Sequence, residues 1–178
     1  MLRVLAAVLL ALVLTGCADE PVTAPVTAPG SSPDAAFLSG MIPHHEQALE
    51  LSAMVGGRGG SPGLEAMALR IDREQVEEIG QMQGLMRARG LAPAAVGMMH
   101  GMADPATLAT LRSSRGPAFE RLWLDTMISH HEGALMMARD YLATGTDDTL
   151  RRYAQVVEST QSGEIEAMRA MRTSIAGP

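Results

Sequence analysis

The sequence predicts an all-α fold: an antiparallel four-helix bundle built from two pseudo-symmetric helical hairpins joined by a longer crossover. Three observations carry this. The chain of 178 residues repeats itself at an offset of 86, so that Met41-Ile42-Pro43-His44-His45-Glu46-Gln47-Ala48-Leu49 returns as Met127-Ile128-Ser129-His130-His131-Glu132-Gly133-Ala134-Leu135. In the same register Gln75, Glu78, Ile79 and Met82 return as Gln161, Glu164, Ile165 and Met168, and two matched segments mark a duplication more securely than one motif. Apolar residues recur with alternating spacings of three and four, and no stretch has the period-two alternation of a strand.

The first 33 residues do not read as part of the bundle. Residues 1–16 have a basic start at Arg3 and an apolar run from Val4 to Leu14, too short to span a membrane and suited to a signal-peptide core. Leu14-Thr15-Gly16-Cys17 looks like a bacterial lipobox, in which Cys17 is lipidated and becomes the mature first residue. The plainer reading is an ordinary signal peptide followed by a stray Cys. The lipobox reading makes the chain an extracytoplasmic lipoprotein on the cell surface or periplasmic side, its membrane affinity supplied by acyl chains at Cys17. The rest of residues 17–33, with a near-tandem Pro-Val-Thr-Ala repeat, lacks the apolar surface needed for order and reads as a tether.

Residues 34–178 are the expected bundle, with repeats at about 37–89 and 119–175. In the first helix Phe37, Met41, His44, Ala48, Leu51 and Val55 form a stripe, and Pro43 predicts a kink or a helix beginning close to it. Residues 56–63, with five glycines and a proline, form the turn. Leu64, Ala68, Ile71, Gln75, Glu78, Met82 and Leu85 then form the second stripe, stopped by Gly90 and Pro93. The crossover from about Gly90 to Pro117 is expected to hold a short helix near Asp104 to Arg112. Trp123, Met127, His130, Ala134, Met137 and Tyr141 make the third stripe. A turn at 144–147, with Thr146 or Asp147 as N-cap, leads to the fourth, which runs from Leu150 through Gln161, Glu164 and Met168 to Ile175.

Each stripe is interrupted at its middle by polar residues. His44 lies 15 residues before Gly59, while Gln75 and Glu78 lie 16 and 19 after it. At a rise of ~1.5 Å per residue these positions share one height in an antiparallel hairpin. The second hairpin gives the same result, so His44, His45, His130, His131, Gln75, Gln161, Glu78 and Glu164 belong to one layer, with Met41, Met82, Met127 and Met168 a turn away. Buried and unpaired, such groups would each cost several kcal/mol, so they must satisfy one another or a bound ion.

Two accounts of the layer remain open. In one, each His bonds a Glu or Gln across the seam and the network sets helix register. In the other, imidazoles and carboxylates converge on a transition metal with thioethers in reach, a donor mix that suits copper better than zinc or magnesium. Adjacent helical residues point about 100° apart, so one His of each pair can ligate while its neighbour packs. Glu46 and Glu132 lie further round, solvated or supporting their own histidines. The diiron pattern, a Glu three residues before a His, is missing from both histidine-bearing helices.

A second metal candidate is the crossover segment Met98-Met99-His100-Gly101-Met102, whose thioethers and imidazole suit Cu(I). The competing reading is a loop whose methionines fill one end of the core. Composition narrows the function classes. The chain has 14 Met and a net charge of −6, with all 14 basic residues Arg, which argues against nucleic acid as partner. A single Cys excludes an internal disulfide framework and a multi-Cys zinc site. No nucleophile triad, phosphate loop or cofactor fingerprint is present, and nothing names a protein partner.

On these residues the chain resembles a bacterial family of secreted and lipid-anchored proteins, the domain of unknown function 305. The resemblance rests on Met41-Ile42-x-His44-His45 with Ala48, on Met127-Ile128-x-His130-His131 with Gly133-Ala134, on the Gln-x-x-Glu-Ile pairs at 75–79 and 161–165, and on the Met/Gly loop at 98–102. It implies a ferritin-like four-helix bundle over about Asp34 to Ile175, and a likeness to periplasmic copper-binding proteins that handle metal stress. Where the family often has Met-Pro-Gly-Met, this chain has Met-His-Gly-Met. The expectation is a copper-binding buffer or chaperone and not an enzyme. A ferritin-like metal-dependent oxidoreductase and a metal-free structural or interaction module are the alternatives.

Overall fold

A computed structural model describes residues 32–95 and 99–175. The expected signal peptide, Cys17, nearly all of the tether, and Met98 lie outside the described residues. Capping chemistry sets the helix starts. Ser32 accepts the Ala35 N–H, and Pro33, whose missing N–H costs nothing at a first position, opens α1 (Pro33–Ala53). The first helix thus starts at Pro33 with Ser32 as its cap, two residues that composition had placed in the tether. It also begins ten residues before Pro43, which sits inside the helix, so a start close to Pro43 is corrected.

Ser61 caps α2 (Pro62–Arg89), which ends at Gly90 in the left-handed region at φ 62°. Asp104 caps α3 (Pro105–Ser113), the short crossover helix the sequence predicts. The long α4 (Gly116–Thr144) then runs to the turn. Of the two expected caps there, Asp147 is the one that accepts the Leu150 N–H and starts α5 (Asp148–Ser174). The described residues contain these five helices and no strand, and none of the five is long and apolar enough to cross a membrane.

α1 packs on α2 and α4 on α5, and the two hairpins meet along α1 and α4. That seam is antiparallel, as three contacts along it show. Tyr141 OH donates to Asp34 Oδ1 at 2.7 Å and its ring stacks on Phe37 at 4.5 Å. At the middle His44 lies on His130, and beyond it Trp123 Nε1 donates to Leu51 O at 2.7 Å. Polar residues at mid-height divide the apolar interior in two. One cluster holds Phe37, Leu38, Met41, Met82, Tyr141 and Leu150. The other holds Leu51, Leu64, Ile71, Phe119, Trp123, Met127 and Met168. Each large side chain buried there contributes about 1.5–3 kcal/mol.

Candidate metal centre

The four histidines predicted for the layer are buried, but the members of each pair do different work. The ring centroids within the pairs are 6.4 and 6.1 Å apart, because successive helical residues diverge. The outer member turns to the next helix of its own hairpin. His45 Nε2 donates to Glu78 Oε2 at 2.7 Å, and His131 Nε2 donates to Glu164 Oε2 at 2.9 Å. Both bonds span 33 residues, so the duplication read in sequence is realised as duplicated chemistry. Glu164 has Arg70 Nε 3.5 Å from its other oxygen.

The inner members face each other across α1 and α4, His44 on His130 with ring centroids 3.8 Å apart and planes at 38°. Burial, followed by the neighbouring His45, pulls the His44 pKa from 6.5 down to about 3. Burial, followed by His44, drives His130 well below 6.5. Burial and the proximity of the other histidines favour the uncharged form of both rings, which is the form that ligates metal.

Hydrogen bonding separates the two inner rings. His44 Nε2 donates to His100 O at 3.0 Å, leaving Nδ1 without a partner among the described residues. Neither nitrogen of His130 has a hydrogen-bond partner there; the His44 carbonyl lies near its ring, outside hydrogen-bond geometry. Buried polar atoms are normally satisfied, and each exception costs about 1–3 kcal/mol.

The crossover loop and the layer, separate candidates in sequence, are neighbours in the fold. The loop is held by Gln47, whose Nε2 donates to Ala103 O at 3.0 Å and whose Oε1 accepts the Ala103 N–H at 2.7 Å. On its other side the His100–Gly101 backbone lies against α4 at Ser129, His130 and Gly133. Gly101 has φ 78°, and a Cβ on Gly133 would collide with the His100 carbonyl. The loop's Met99 and Met102 are half-buried and His100 is exposed.

The remaining predicted residues do not gather into the same place. Met41 and Met82 lie in one apolar cluster and Met127 and Met168 in the other, on opposite sides of the layer. Glu46 and Glu132 are exposed, and Glu132 pairs with Arg169. Gln75 and Gln161 are buried, each with a side-chain carbonyl oxygen that has no partner among the described residues. Among the described residues, no three His, Cys, Asp or Glu side chains are arranged to hold one metal ion.

Two residues that matter were not singled out by sequence as layer members. Gln47 is one. The other is Glu74, whose Oε2 is buried without a hydrogen-bond partner among the described residues, and whose pKa is raised first by burial and then by the charge of Glu164. Both stand where the repeat breaks, Gln47 opposite Gly133 and Glu74 opposite Thr160. The signal lay in what the duplication changed.

With the fold and layer in view, comparisons place the chain. No curated protein sequence matches it. Among solved structures it is similar to a DUF305 protein of Streptomyces coelicolor that carries a provisional description as secreted, at 30% identity over 83% of this chain and 98% of that one, with a TM-score of 0.75. A DUF305 fragment of Deinococcus radiodurans matches at 30% identity over 82% and 99%, TM-score 0.74. CopM in its Cu(I)-bound form matches at 26% identity over 81% and 98%, TM-score 0.69, and CopM has also been crystallised with Cu(II) and with silver. The family model of the domain of unknown function DUF305 matches residues 34–172, nearly the whole bundle, and the chain belongs to that family.

Proposed function

We propose that this protein is an extracytoplasmic copper-binding lipoprotein, a buffer or chaperone for Cu(I), anchored through Cys17. The observation that carries the reading is the buried His44–His130 pair, with ring nitrogens that have no partner among the described residues, beside a loop bearing Met99, His100 and Met102. Imidazole suits copper and thioether selects its monovalent form. Rings already neutral at physiological pH take up a cation without first losing protons. The likeness to CopM, crystallised with Cu(I), supports the same reading. His45–Glu78 and His131–Glu164 serve register in it, holding each hairpin together at mid-height.

Anaerobic titration of the mature domain with Cu(I) against a chromogenic chelator tests the proposal. Copper is expected to be withdrawn from the chelator by the wild-type domain and not by a variant with His44, His45, His130 and His131 all replaced. Failure of the wild type to compete, or equal competition by the variant, would overturn it.

A further inference from the structure

The duplication lets one hairpin serve as the reference for the other. Between α4 and α5, Arg139 pairs with Glu158, Arg169 with Glu132 and Arg172 with Asp125, each across the seam. At the offset of 86 these arginines become Ala53, Gln83 and Met86, while two of the carboxylates are kept as Glu46 and Asp72. Among the described residues Glu46 and Asp72 have no ion-pair partner, and no arginine–carboxylate pair joins α1 to α2. The apolar surface changes in the opposite sense. Where α5 has Gln155 and Ser162, α2 has Leu69 and Val76, which are 64% and 54% exposed. Leu69 and Asp72 line a groove of about 390 Å³ between α1 and α2, together with Ser52, Ala53, Val55 and Glu65. One hairpin thus closes its outer groove with its own arginines, and the other leaves the same groove apolar, acidic and unbridged.

We propose that the outer groove of the α1/α2 hairpin is the docking surface for a cationic amphipathic helix of another protein. Leu69 and Val76 are seven residues apart on one side of α2, about 10 Å at ~1.5 Å per residue. That is the repeat of the apolar stripe on a helix laid along the groove. Its arginines or lysines take the places that Arg139 and Arg169 fill in the second half, one beside Asp72 and one beside Glu46. Charge favours such a partner. Glu46, Glu65 and Asp72 surround the apolar residues, with Glu50 already paired to Arg112. Arg73 is the neighbouring cation, and its Nε donates to Leu69 O. The same charges disfavour a second copy of this chain, since a two-fold axis through the groove would lay Glu46, Glu65 and Asp72 against themselves. Copper plays no part in this contact.

The probe is a fluorescein-labelled helical peptide with a leucine stripe flanked by arginines, and its control carries glutamates in their place. The anisotropy of each is followed on titration with the mature domain. The arginine peptide is expected to bind and the glutamate peptide to stay free. Leu69→Ser with Val76→Ser, and separately Glu46→Gln with Asp72→Asn, are each expected to weaken binding by about tenfold or more. Ala53→Arg with Gln83→Arg, which writes the arginines of the second hairpin into the first, is expected to bridge the groove and weaken binding as much. Met136→Ser, on the α4/α5 groove, is expected to bind like wild type. All these positions are exposed or half-buried, so the circular dichroism melts should stay close to wild type. Equal binding of both peptides, binding of neither, or an arginine peptide indifferent to Leu69→Ser with Val76→Ser would overturn the proposal, as would an equal loss in Met136→Ser. A concentration-dependent dimer in analytical ultracentrifugation, abolished by Leu69→Ser with Val76→Ser, would overturn it in favour of a second copy.

Discussion

His44 and His130 occupy equivalent positions in a duplicated sequence and lie with ring centroids 3.8 Å apart, yet among the described residues only the His44 ring has a hydrogen-bond partner. A symmetric bundle would have buried two equivalent imidazoles. Instead the crossover loop places the His100 carbonyl at His44, and no equivalent carbonyl stands at His130 among the described residues. The unsatisfied ring is affordable because the apolar clusters above and below it, with Trp123, Phe119 and Leu38 fully buried, supply the bulk of the folding free energy.

Stability of the metal-free domain should fall on mild acidification. The His44 pKa is depressed in the fold, from 6.5 to about 3, and His130 is shifted the same way. Between those limits the unfolded chain binds protons that the folded chain refuses. The contribution is therefore complete above 6.5 and lost as pH falls below it, by up to about 1.4 kcal/mol per pH unit for each ring. Urea midpoints measured from about pH 7 down to about pH 5 should decline steadily; a flat profile would contradict neutral burial.

The two His–Glu bonds should not be equivalent in stability. The Glu164 side chain is 4% exposed and Glu78 12% exposed. Replacing Glu164 by Leu strands the His131 N–H in the interior and removes the ion pair with Arg70, a loss of about 2–3 kcal/mol. Glu78→Leu should cost less, since water reaches that side of His45 more readily. Chemical denaturation of the two variants in parallel checks the order.

Trp123→Phe should destabilise the domain by about 1–2 kcal/mol, through the lost bond to Leu51 O and a small cavity. Its repeat mate Phe37 has no such donor, so the bond belongs to one half only. A thermal melt unchanged from wild type would show that the bond contributes nothing.

Asp147 holds two structures at once. It caps α5 through Leu150 N–H and receives Arg89 in a two-point ion pair at 2.9 and 3.0 Å. Asp147→Ala should cost about 1–2 kcal/mol, chiefly from the cap. Asp147→Asn should recover most of that in a denaturation experiment, because an amide caps nearly as well.

Much of this architecture is legible in the residues. The stripes through Phe37–Val55 and Trp123–Tyr141 predict α1 and α4, the Gly-rich turn and Gly90 predict the ends of α2, and Asp104 announces α3, because periodicity and caps are local properties. The height of the polar layer follows from counting residues along each hairpin. What could not be read is the path of the crossover. Whether Met99–Met102 lies near the layer or at a bundle end depends on Gln47 reaching Ala103 and on the absence of a side chain at Gly133, contacts separated by more than thirty residues. The divergence of the four methionines has a similar origin. Met41 and Met127 occupy equivalent repeat positions, but α1 and α4 run antiparallel, which carries the two thioethers to opposite sides of the layer.

X-ray absorption at the copper edge of the Cu(I)-loaded mature domain is the most direct check that layer and loop form one centre. Mixed coordination by nitrogen and sulfur is expected, with the sulfur contribution lost in a Met99→Leu, Met102→Leu double variant and the nitrogen contribution lost when His44, His45, His130 and His131 are all replaced. A first shell of sulfur alone, or a nitrogen shell indifferent to the four layer histidines, would contradict the account.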